Sequence, residues 1–545
     1  MRTAVDARTA WTEPAAEAIG ATWLLAAIAP GGALGRAASE RGTRRFLRGD
    51  EAEAQAAIER VDALAHEIDA ARLAAMRATL AAAPDITAVL ARASVGAVLG
   101  DVDFFEIGRF IAALAEIAEP LSGWFAGVHD SVYGALQMAL GPGRSAGGGF
   151  YLADAFDPEL ANARAEANAS QTAYDVARSG LLERIARYVG AESVRDGEFV
   201  LMRDHAFGPL PREIHVVRES PAYLLCDVSL DAAALDALAA RDTAIARVAE
   251  REESVRARLS QAVAAAGSSL AFACEALGDF DLLAARAQFA QRHRCIVPEI
   301  ADAAPVAFVD ARFLPLEEAL ERHGRRYAPI SLELEGVGVV TGPNMGGKTA
   351  ALRTLGFLAA CASLGVPVPA ASARLPLFDE IAWLGIAARA VDDDGLLSSF
   401  GSEVVALRDF LSRELERPLV LIDEFARTTS PREGRALLVA VLETLYERGA
   451  LALAATHLAN VAPAGAAHFA IGGLHALPPR AGAPLELEAA LRRIARAMDY
   501  SVQRVASDTA PPADAIALAD ALGLDPNLIA RALGEIHRSS TAEET

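Results

Sequence analysis

Roughly the first 135 residues place apolar and polar positions with the spacing of helices. Alanine and leucine dominate this region, and between residues 51 and 90 apolar side chains recur every three or four positions, which puts them on one helical face. These positions are Ala57, Val61, Leu64, Ile68 and Leu73. The glycine-rich run 141–149 cannot continue a helix, so we expect a loop there. A further helix is predicted from about Pro158 to about Val189.

The period changes between residues 198 and 228. Short apolar segments there are separated by breaks that contain proline, and this pattern predicts a small β insert. The predicted strands are 198–202, 213–217 and 222–226. From Asp231 to about His293 the chain returns to charged, alanine-rich helix, with breaks expected near Gly267 and Gly278. The sequence therefore predicts a long antiparallel helical pair, a lever or clamp arm.

From about residue 306 the pattern alternates between strand and helix. A strand is predicted at 331–340 and a helix at 348–364. The continuous apolar runs 418–422 and 449–455 suit strands that are buried on both faces, as in parallel sheets. This succession predicts an α/β domain with helices on both sides of a mostly parallel sheet.

Three regions result from these patterns. Residues 1–305 form a mostly helical region that includes the β insert. Residues 306–480 form the α/β domain. Residues 481–545 form a helical tail, whose end after about Arg538 is expected to fray.

Composition places the chain among globular proteins. Its 545 residues are 53% hydrophobic and 23% charged, and the length is enough for about two to four domains. The longest apolar runs are too short for a bilayer, and Met1 to Arg8 lacks the features of a signal peptide, since it contains Asp6. We therefore expect a cytoplasmic protein that has no membrane partner.

Charge and cysteine content exclude some classes of protein. The net charge of -21 argues against a surface coated in basic residues, although it leaves open a local basic patch that binds nucleic acid. The four cysteines show no C-x-x-C spacing. They predict buried thiols and not a zinc site or a disulfide framework.

Lys348 is the only lysine of the chain, and it lies in the segment Thr341–Thr349, which has the pattern G-x-x-x-x-G-K-[ST] of a P-loop. In such a loop backbone N–H groups wrap phosphates, the lysine reaches the β- and γ-phosphates, and the following hydroxyl, here that of Thr349, binds Mg²⁺. The alternative, a glycine-rich turn without a ligand, is disfavoured by the predicted strand, loop and helix. We predict ATP and Mg²⁺ as cofactors. The residues predicted to bind them here are Gly342, Pro343, Asn344, Met345, Gly346, Gly347, Lys348 and Thr349.

Two carboxylates follow the apolar strand predicted at 418–422. Asp423 stands at the carboxyl end of this strand, where open α/β sheets bind ligands, and is predicted to hold the metal together with Thr349. Glu424 is placed to polarise an attacking water, which predicts a hydrolase. The alternative is the start of a helix or loop, but the upstream P-loop favours the catalytic interpretation.

Two further motifs complete the predicted site. The strand at 449–455 ends in a histidine, His457, that can hydrogen-bond the γ-phosphate, unless it is simply an exposed strand-end residue. The segment Ser398–Glu403 opens a helix, with Ser399 and Ser402 as candidate caps and Glu403 supporting the first turn. Either this segment is only a cap, or its N-terminus faces a phosphate, possibly that of a neighbouring subunit.

These motifs, in this order, resemble the ATPase domain of the MutS family. That family has a P-loop of the form T-G-P-N-M-x-G-K-[ST] and a serine-threonine-phenylalanine signature. It also has an Asp-Glu strand end followed by an arginine and a threonine-serine pair, and a Thr-His strand end. The corresponding segments are 341–349, 398–403, 423–430 and 456–457.

The resemblance implies an α/β P-loop NTPase domain of the ABC/MutS type that works as a dimer, with itself or with a related chain. In that family arrangement Ser398 of one subunit caps the nucleotide of the other. Asn344 matches an asparagine on the γ-phosphate side, and Tyr327 matches the aromatic residue that stacks on adenine.

The N-terminal half resembles the helical core and lever of the same family, with three departures. The Phe104-Phe-Glu106 triplet is similar to a mismatch-reading motif, but the region is too short for the domains that would follow it, so Phe104 is predicted to be a core residue. No nuclease domain is expected after the ATPase. The family's Gly-Arg-Gly-Thr is Ala426-Arg-Thr-Thr429 here.

Two functions remain open. In the first, a dimeric ATPase grips DNA and ATP binding closes its lever arms; the acidic charge counts against this. In the second, the stretch Asp423–Thr429 resembles an ATPase component of reactivases for lysine 5,6-aminomutase, an adenosylcobalamin enzyme. That resemblance implies a chaperone whose partner is a cobalamin-dependent aminomutase.

Overall fold

The computed structural model describes residues 10–42, 44–125, 130–143, 149–190, 194, 197–203, 208–303, 305–343, 345–385, 399–474, 487–507, 509 and 514–543. The chain divides into two compact units. Unit 1 consists of Met1–Ala81 and Gly278–Thr545, and unit 2 of Ala82–Leu277. The predicted boundary at residue 305 does not coincide with this division.

The two longest helices begin at an aspartate that caps the first turn. Asp157 and Asp231 each accept a hydrogen bond from a backbone N–H of the first turn, and proline follows Asp157 directly. The helices, in chain order, are α1 (Glu13–Ala18), α2 (Ala21–Ala27), α3 (Ala33–Glu40), α4 (Glu51–Glu67), α5 (Ala70–Ala82), α6 (Thr87–Ser94), α7 (Asp101–Ala118), α8 (Asp130–Leu140), α9 (Pro158–Val189), α10 (Ala232–Ala265), α11 (Gly267–His293), α12 (Leu314–Arg322), α13 (Lys348–Ser363), α14 (Ser399–Leu411), α15 (Pro431–Glu447), α16 (Leu487–Ala497), α17 (Ala515–Leu522) and α18 (Pro526–Glu543).

The strands form three sheets in the described part of the chain. They are β1 (Glu198–Met202), β2 (Ile214–Glu219), β3 (Tyr223–Val228), β4 (Glu299–Ala301), β5 (Val306–Ala311), β6 (Ile330–Leu334), β7 (Val337–Thr341), β8 (Ser372–Pro376), β9 (Ile381–Gly385), β10 (Leu419–Asp423), β11 (Leu451–Thr456), β12 (Ala467–Leu474) and β13 (Met498–Val505).

The main sheet of unit 1 has the order β13-β12-β7-β11-β10-β9. All neighbouring pairs are parallel except the edge pair β12 and β13. Leu421 of β10 faces a core that includes Leu355 of α13, while Ile422 faces a core that includes Leu442 of α15. The sheet is therefore covered by helices on both faces, and the predicted mixture of helical and α/β structure is confirmed.

A smaller sheet in unit 1 has the order β4-β8-β5-β6. The single strand predicted at 331–340 is wrong, because two strands occupy this segment and belong to different sheets. Gly336, with φ 71°, forms the turn between them. The prediction failed because the segment is apolar on both sides of the turn, so periodicity does not reveal where one strand ends.

The predicted helical tail is also partly wrong. The segment Met498–Val505 is strand β13, which pairs antiparallel with β12 and closes one edge of the main sheet. Strand β13 lies at the edge of the sheet and many of its side chains are at least partly exposed, so apolar and polar positions alternate only weakly along it. The tail therefore supplies part of the α/β sheet.

Unit 2 contains the predicted β insert, with the order β1-β3-β2 and antiparallel pairing. Helices α9 and α10 pack side by side and antiparallel. Arg164 bonds Glu252 at 2.7 Å, and Arg247 bonds Glu166 at 2.5 Å. The prediction that residues 231–293 form an antiparallel helical pair by themselves is therefore wrong, because α10 packs along α9. Phe104 is fully buried, as predicted for a core residue.

The helix break predicted near Gly278 is absent, since α11 runs through this residue. A Cβ on Gly278 would lie 2.7 Å from the carbonyl oxygen of Leu34, so this glycine permits a close approach of two backbones. The sequence alone cannot distinguish this use of glycine from a helix end.

The four cysteines are free, and three of them are buried, as predicted. Burial raises the pKa of Cys274 and Cys295 to about 12, which leaves almost no thiolate at neutral pH. In the described residues no single helix has the length and apolar composition of a membrane span. Helices α5 and α6 meet that criterion only when taken together.

Candidate nucleotide-binding site

The register of three parallel strands aligns the predicted site residues at one edge of the sheet. Thr341 of β7 lies opposite Thr456 of β11, and Ala455 of β11 lies opposite Asp423 of β10. The loops that leave these three strands therefore start side by side, at the carboxyl ends where open α/β sheets bind ligands. The P-loop, His457 and Glu424 all belong to this edge.

The P-loop connects β7 to α13 in a tight turn. Gly347 is the N-cap of α13 and has φ 102°, and Met345 has φ 66°. A Cβ on Gly346 would lie 2.9 Å from Cγ of Pro343, and one on Gly342 would lie 3.0 Å from Cβ of Ile471. These glycines thus permit the tight turn and the close packing of the loop, which leads into the N-terminus of α13, a favourable position for a phosphate. Asn344 lies outside the described residues.

Lys348 is buried and its amino group turns back onto its own loop. Nζ donates hydrogen bonds to the carbonyl oxygens of Gly342 at 2.9 Å and Pro343 at 3.1 Å, and it lies 4.0 Å from Oε1 of Glu424. Burial lowers the pKa of Lys348, against the opposite effect of Glu424 and Asp423. A buried ammonium group whose nearest carboxylate is 4.0 Å away is suited to bind a phosphate, which would supply the negative charge it lacks in close contact.

Thr349 and Asp423 lie in direct contact. The hydroxyl of Thr349 donates to the carboxylate of Asp423, at 3.0 Å from Oδ1 and 3.1 Å from Oδ2. Burial raises the pKa of Asp423, which the bond from Thr349 partly offsets. A hydroxyl and a carboxylate are oxygen ligands of the type that Mg²⁺ prefers. Among the described residues no group of three acidic, histidine or cysteine side chains could hold a metal alone, so phosphate oxygens and water would complete its shell.

Glu424 follows β10 directly with a left-handed backbone, φ 50°. Its N–H donates to the carbonyl of Ala455 at 2.9 Å, which ties it to the neighbouring strand. Its carboxylate accepts a hydrogen bond at Oε2 from Nη1 of Arg427, at 2.9 Å, while Oε1 faces Lys348. The glutamate is thus positioned at the P-loop and shared between two cations.

His457 lies at the same edge, immediately after β11, and is exposed. Its position between the strands of the P-loop and of Asp423 follows from the sheet order, but the described residues give it no hydrogen bond. Ser398 lies outside the described residues, and α14 begins at Ser399. Its predicted role therefore stays a prediction.

The role expected for Glu403 is wrong. Instead of supporting the first turn of α14, the side chain is buried and its Oε2 accepts the N–H of Ala426 at 2.8 Å. Spacing from the helix start predicted a cap, because sequence gives no information on which distant backbone group a carboxylate will reach.

Beside the P-loop lies a cavity of 480 Å³. Tyr327 lines it, and its hydroxyl is hydrogen-bonded to Thr354 Oγ1 at 3.0 Å; its predicted contact with the base stays a prediction. The sequence did not predict the other wall, which comes from α16 and β13. The residues of that wall are Arg492, Ala495, Arg496 and Tyr500. A Cβ on Gly347 would lie 3.5 Å from Cδ1 of Tyr500, so this ring stands against the P-loop.

A weak pattern did exist for that wall. Arg492 and Arg496 are four residues apart, which places them on one helical face next to a tyrosine. Since the sequence predicts a helical tail here, it gives no reason to connect this face with the P-loop. Pairing of β13 with the main sheet is what brings Tyr500 to the site.

Comparison with known proteins found similarity over the part of the chain that carries the P-loop. Residues 338–522 match the family model MutS domain V. The chain is 34% identical over 220 residues to an endonuclease MutS2 of Geobacillus thermodenitrificans, covering 39% of this chain and 27% of the relative. It is 34% identical over 215 residues to a DNA mismatch repair protein MutS of Shouchella clausii, covering 39% and 24%.

A longer match is to an endonuclease MutS2 of Streptococcus pneumoniae, which is 26% identical over 400 residues, 70% of this chain and 49% of the relative. The chain thus spans about a quarter to a half of the length of these curated relatives. Together the domain match and the relatives show that residues 338–522 are similar to a MutS-family ATPase domain.

Proposed function

We propose that this MutS-family chain binds MgATP at the P-loop and hydrolyses it with Glu424. The observation that carries the proposal is the convergence of Lys348, Thr349, Asp423 and Glu424 at one sheet edge, where Nζ of Lys348 lies 4.0 Å from the carboxylate of Glu424. One cation, a hydroxyl and two carboxylates in this arrangement, together with the Mg²⁺ that they would hold, supply the groups that phosphoryl transfer to water requires.

Each residue has a defined part in the proposed reaction. The amides at the N-terminus of α13 and Nζ of Lys348 bind the β- and γ-phosphates. Thr349 and Asp423 would hold Mg²⁺, which would neutralise charge on the phosphates. Glu424 orients a water and accepts its proton as the oxygen attacks the γ-phosphorus and the bond to the ADP oxygen breaks. His457 hydrogen-bonds the γ-phosphate.

The contacts within the site indicate what nucleotide binding must change. Lys348 donates to Gly342 and Pro343, and Glu424 is bonded to Arg427, so both functional groups are engaged with the protein. Binding of phosphates replaces the loop carbonyls as acceptors for Lys348. Release of Glu424 from the exposed Arg427 frees its carboxylate for water.

We assign the cavity beside the P-loop to the base and ribose. Tyr500 and Tyr327 supply aromatic surface, and Arg492 and Arg496 supply cations that favour an anionic ligand. Stacking on an aromatic ring tolerates any base, so this cavity supports nucleotide binding more directly than it supports a choice of adenine.

The proposed assembly is a dimer, of this chain with itself or with a related chain, in which Ser398 of one subunit caps the nucleotide of the other. Closure of the dimer on ATP is proposed to move a helical clamp. DNA is the first partner to test, because one relative is named a DNA mismatch repair protein and another an endonuclease. Against it, several arginines of α9 and α10 are paired with glutamates, which reduces the positive charge available for phosphates.

The experiment combines activity and partner binding. The purified chain should hydrolyse ATP only with Mg²⁺ and sediment as a dimer with ATP. A DNA mobility shift that weakens as salt rises would support the DNA function. No shift even at low salt would exclude it and would leave the aminomutase reactivase, motivated by the sequence of residues 423–429, to be tested by reactivation of an inactivated aminomutase.

A further inference from the structure

A buried carboxylate lies behind the loop that carries Glu424. Glu403 of α14 is only 5% exposed, and its Oε2 accepts the backbone N–H of Ala426 at 2.8 Å. Its other oxygen, Oε1, has no hydrogen-bond partner among the described residues. A buried carboxylate that makes so few contacts costs stability, so its one bond to the loop calls for a functional reason.

The loop that it contacts has an unfavourable backbone. Glu424 and Ala426 have φ angles of 50° and 60°, in the left-handed region that L-residues rarely adopt, and neither is a glycine. Such a residue is strained and persists only when its surroundings enforce the conformation. Something outside residues 424–426 must therefore fix this turn.

The contacts that enforce the turn are visible. Glu424 is held at its N–H by Ala455, and the carbonyl of Ala426 accepts the N–H of Thr429 at 3.2 Å. On its far side Gly434 comes so close that a Cβ there would lie 3.1 Å from the Ala426 oxygen. Glu403 is the side chain that fixes the N–H of Ala426, and an ionised acceptor makes that bond stronger than a neutral one would.

We propose that Glu403 is a positioning residue for ATP hydrolysis. By accepting the N–H of Ala426 it holds the left-handed turn that aims the Glu424 carboxylate at the P-loop. This inference rests on the proposed function, since it concerns the residue assigned to orient water. It also gives α14, the helix that follows the predicted Ser398 contact, a direct bond to the catalytic loop of its own subunit.

The first test separates positioning from binding. Glu403→Ala removes the acceptor, and a displacement of Glu424 by about 1 Å is expected to lower kcat by roughly 10- to 100-fold. KM for ATP should change by no more than about twofold, because Lys348 and Thr349 are untouched. Glu403→Gln keeps an amide oxygen that can accept the Ala426 N–H and should restore kcat to within about threefold of wild type.

A matched control is available in the same unit. Glu380 is also a buried glutamate, but it pairs with Arg413, at 2.5 and 2.7 Å, and not with the loop. Glu380→Ala is expected to lower the melting temperature without changing kcat of the folded enzyme. If Glu403→Ala affects only the melting temperature in the same way, Glu403 is structural and the inference is overturned.

A second readout does not depend on activity. Hydrogen–deuterium exchange of the nucleotide-free protein should show faster exchange in the peptide covering 423–430 for Glu403→Ala, with the remaining peptides unchanged. Equal exchange in the two proteins would overturn the inference even if Glu403→Ala lowers kcat. If the wild-type protein fails to hydrolyse ATP, both the proposed function and this inference are overturned. If the wild type is active and Glu403→Ala has the same kcat, the inference alone is overturned.

Discussion

The two loops that leave β7 and β10 both use left-handed backbone, but they achieve it in different ways. In the P-loop the left-handed N-cap position is a glycine, Gly347, at φ 102°. In the loop after β10 the left-handed positions are Glu424 and Ala426, which resist that conformation. The P-loop is specified mainly by its glycines, although Met345 is also left-handed, whereas the second loop has no glycine and is fixed by contacts from outside, including Glu403 and Ala455. The comparison separates a local device, which sequence reveals, from a tertiary one, which it hides.

Removal of the P-loop cation is expected to have the largest effect. Lys348→Ala should weaken ATP binding by at least about 100-fold, because a charge-assisted contact to phosphate is lost from a buried site. Equilibrium titration with a fluorescent ATP analogue measures this. Arg408→Ala, which removes an exposed cation of α14 paired with Asp409, is the control and should bind normally. Tight binding by Lys348→Ala would show that the P-loop does not hold the phosphates.

The aromatic wall beside the P-loop should have a smaller effect. Tyr500→Ala removes the ring next to Gly347 and is expected to weaken ATP binding by roughly tenfold, the order of one base-stacking contact. The same titration measures it. Tyr446→Ala, an exposed tyrosine of α15 that does not line the cavity, serves as the control. Unchanged affinity in Tyr500→Ala would remove the cavity from the nucleotide site.

Exchanging residue types between the loops tests the comparison itself. Gly347→Ala places an L-residue at φ 102° and should destabilise the protein by about 1–3 kcal/mol through backbone strain. Ala426→Gly relieves strain but adds freedom to the unfolded chain, so its stability should stay within about 1 kcal/mol of wild type. Denaturant unfolding measures both. Equal losses in the two variants would mean that the loops do not differ as described.

The features that the sequence alone can predict are separated from the rest by the same division between local and tertiary contacts. The P-loop, Asp423 and Glu424 were predictable, because glycine spacing and an apolar strand with a terminal carboxylate are local patterns. Strand β13 and the position of Tyr500 were not, since pairing with β12 decides both. The split of 331–340 into two strands depends on one turn at Gly336. The bond from Glu403 to Ala426 joins residues 23 positions apart and leaves no local pattern.

The smallest expected effect concerns pH. Burial raises the pKa of Glu403 above its ordinary value of 4.5, with the Ala426 bond partly offsetting it. A raised folded pKa means that the folded protein binds the proton more tightly, so stability due to Glu403 is fully present below pH 4.5 and is lost as pH rises through the raised pKa. The melting temperature of wild type relative to Glu403→Gln should therefore be higher at about pH 5 than at about pH 8. The opposite trend would mean that the site favours the charged form.

The most direct test of the whole account is single-turnover hydrolysis by Glu424→Gln. This variant keeps the shape of the side chain but cannot take a proton from water, so it should bind ATP like wild type and hydrolyse it at least about 100-fold more slowly. Glu414→Gln, an exposed glutamate of the same unit, should turn over normally. Hydrolysis by Glu424→Gln at the wild-type rate would contradict the assignment of Glu424 and the mechanism built on it.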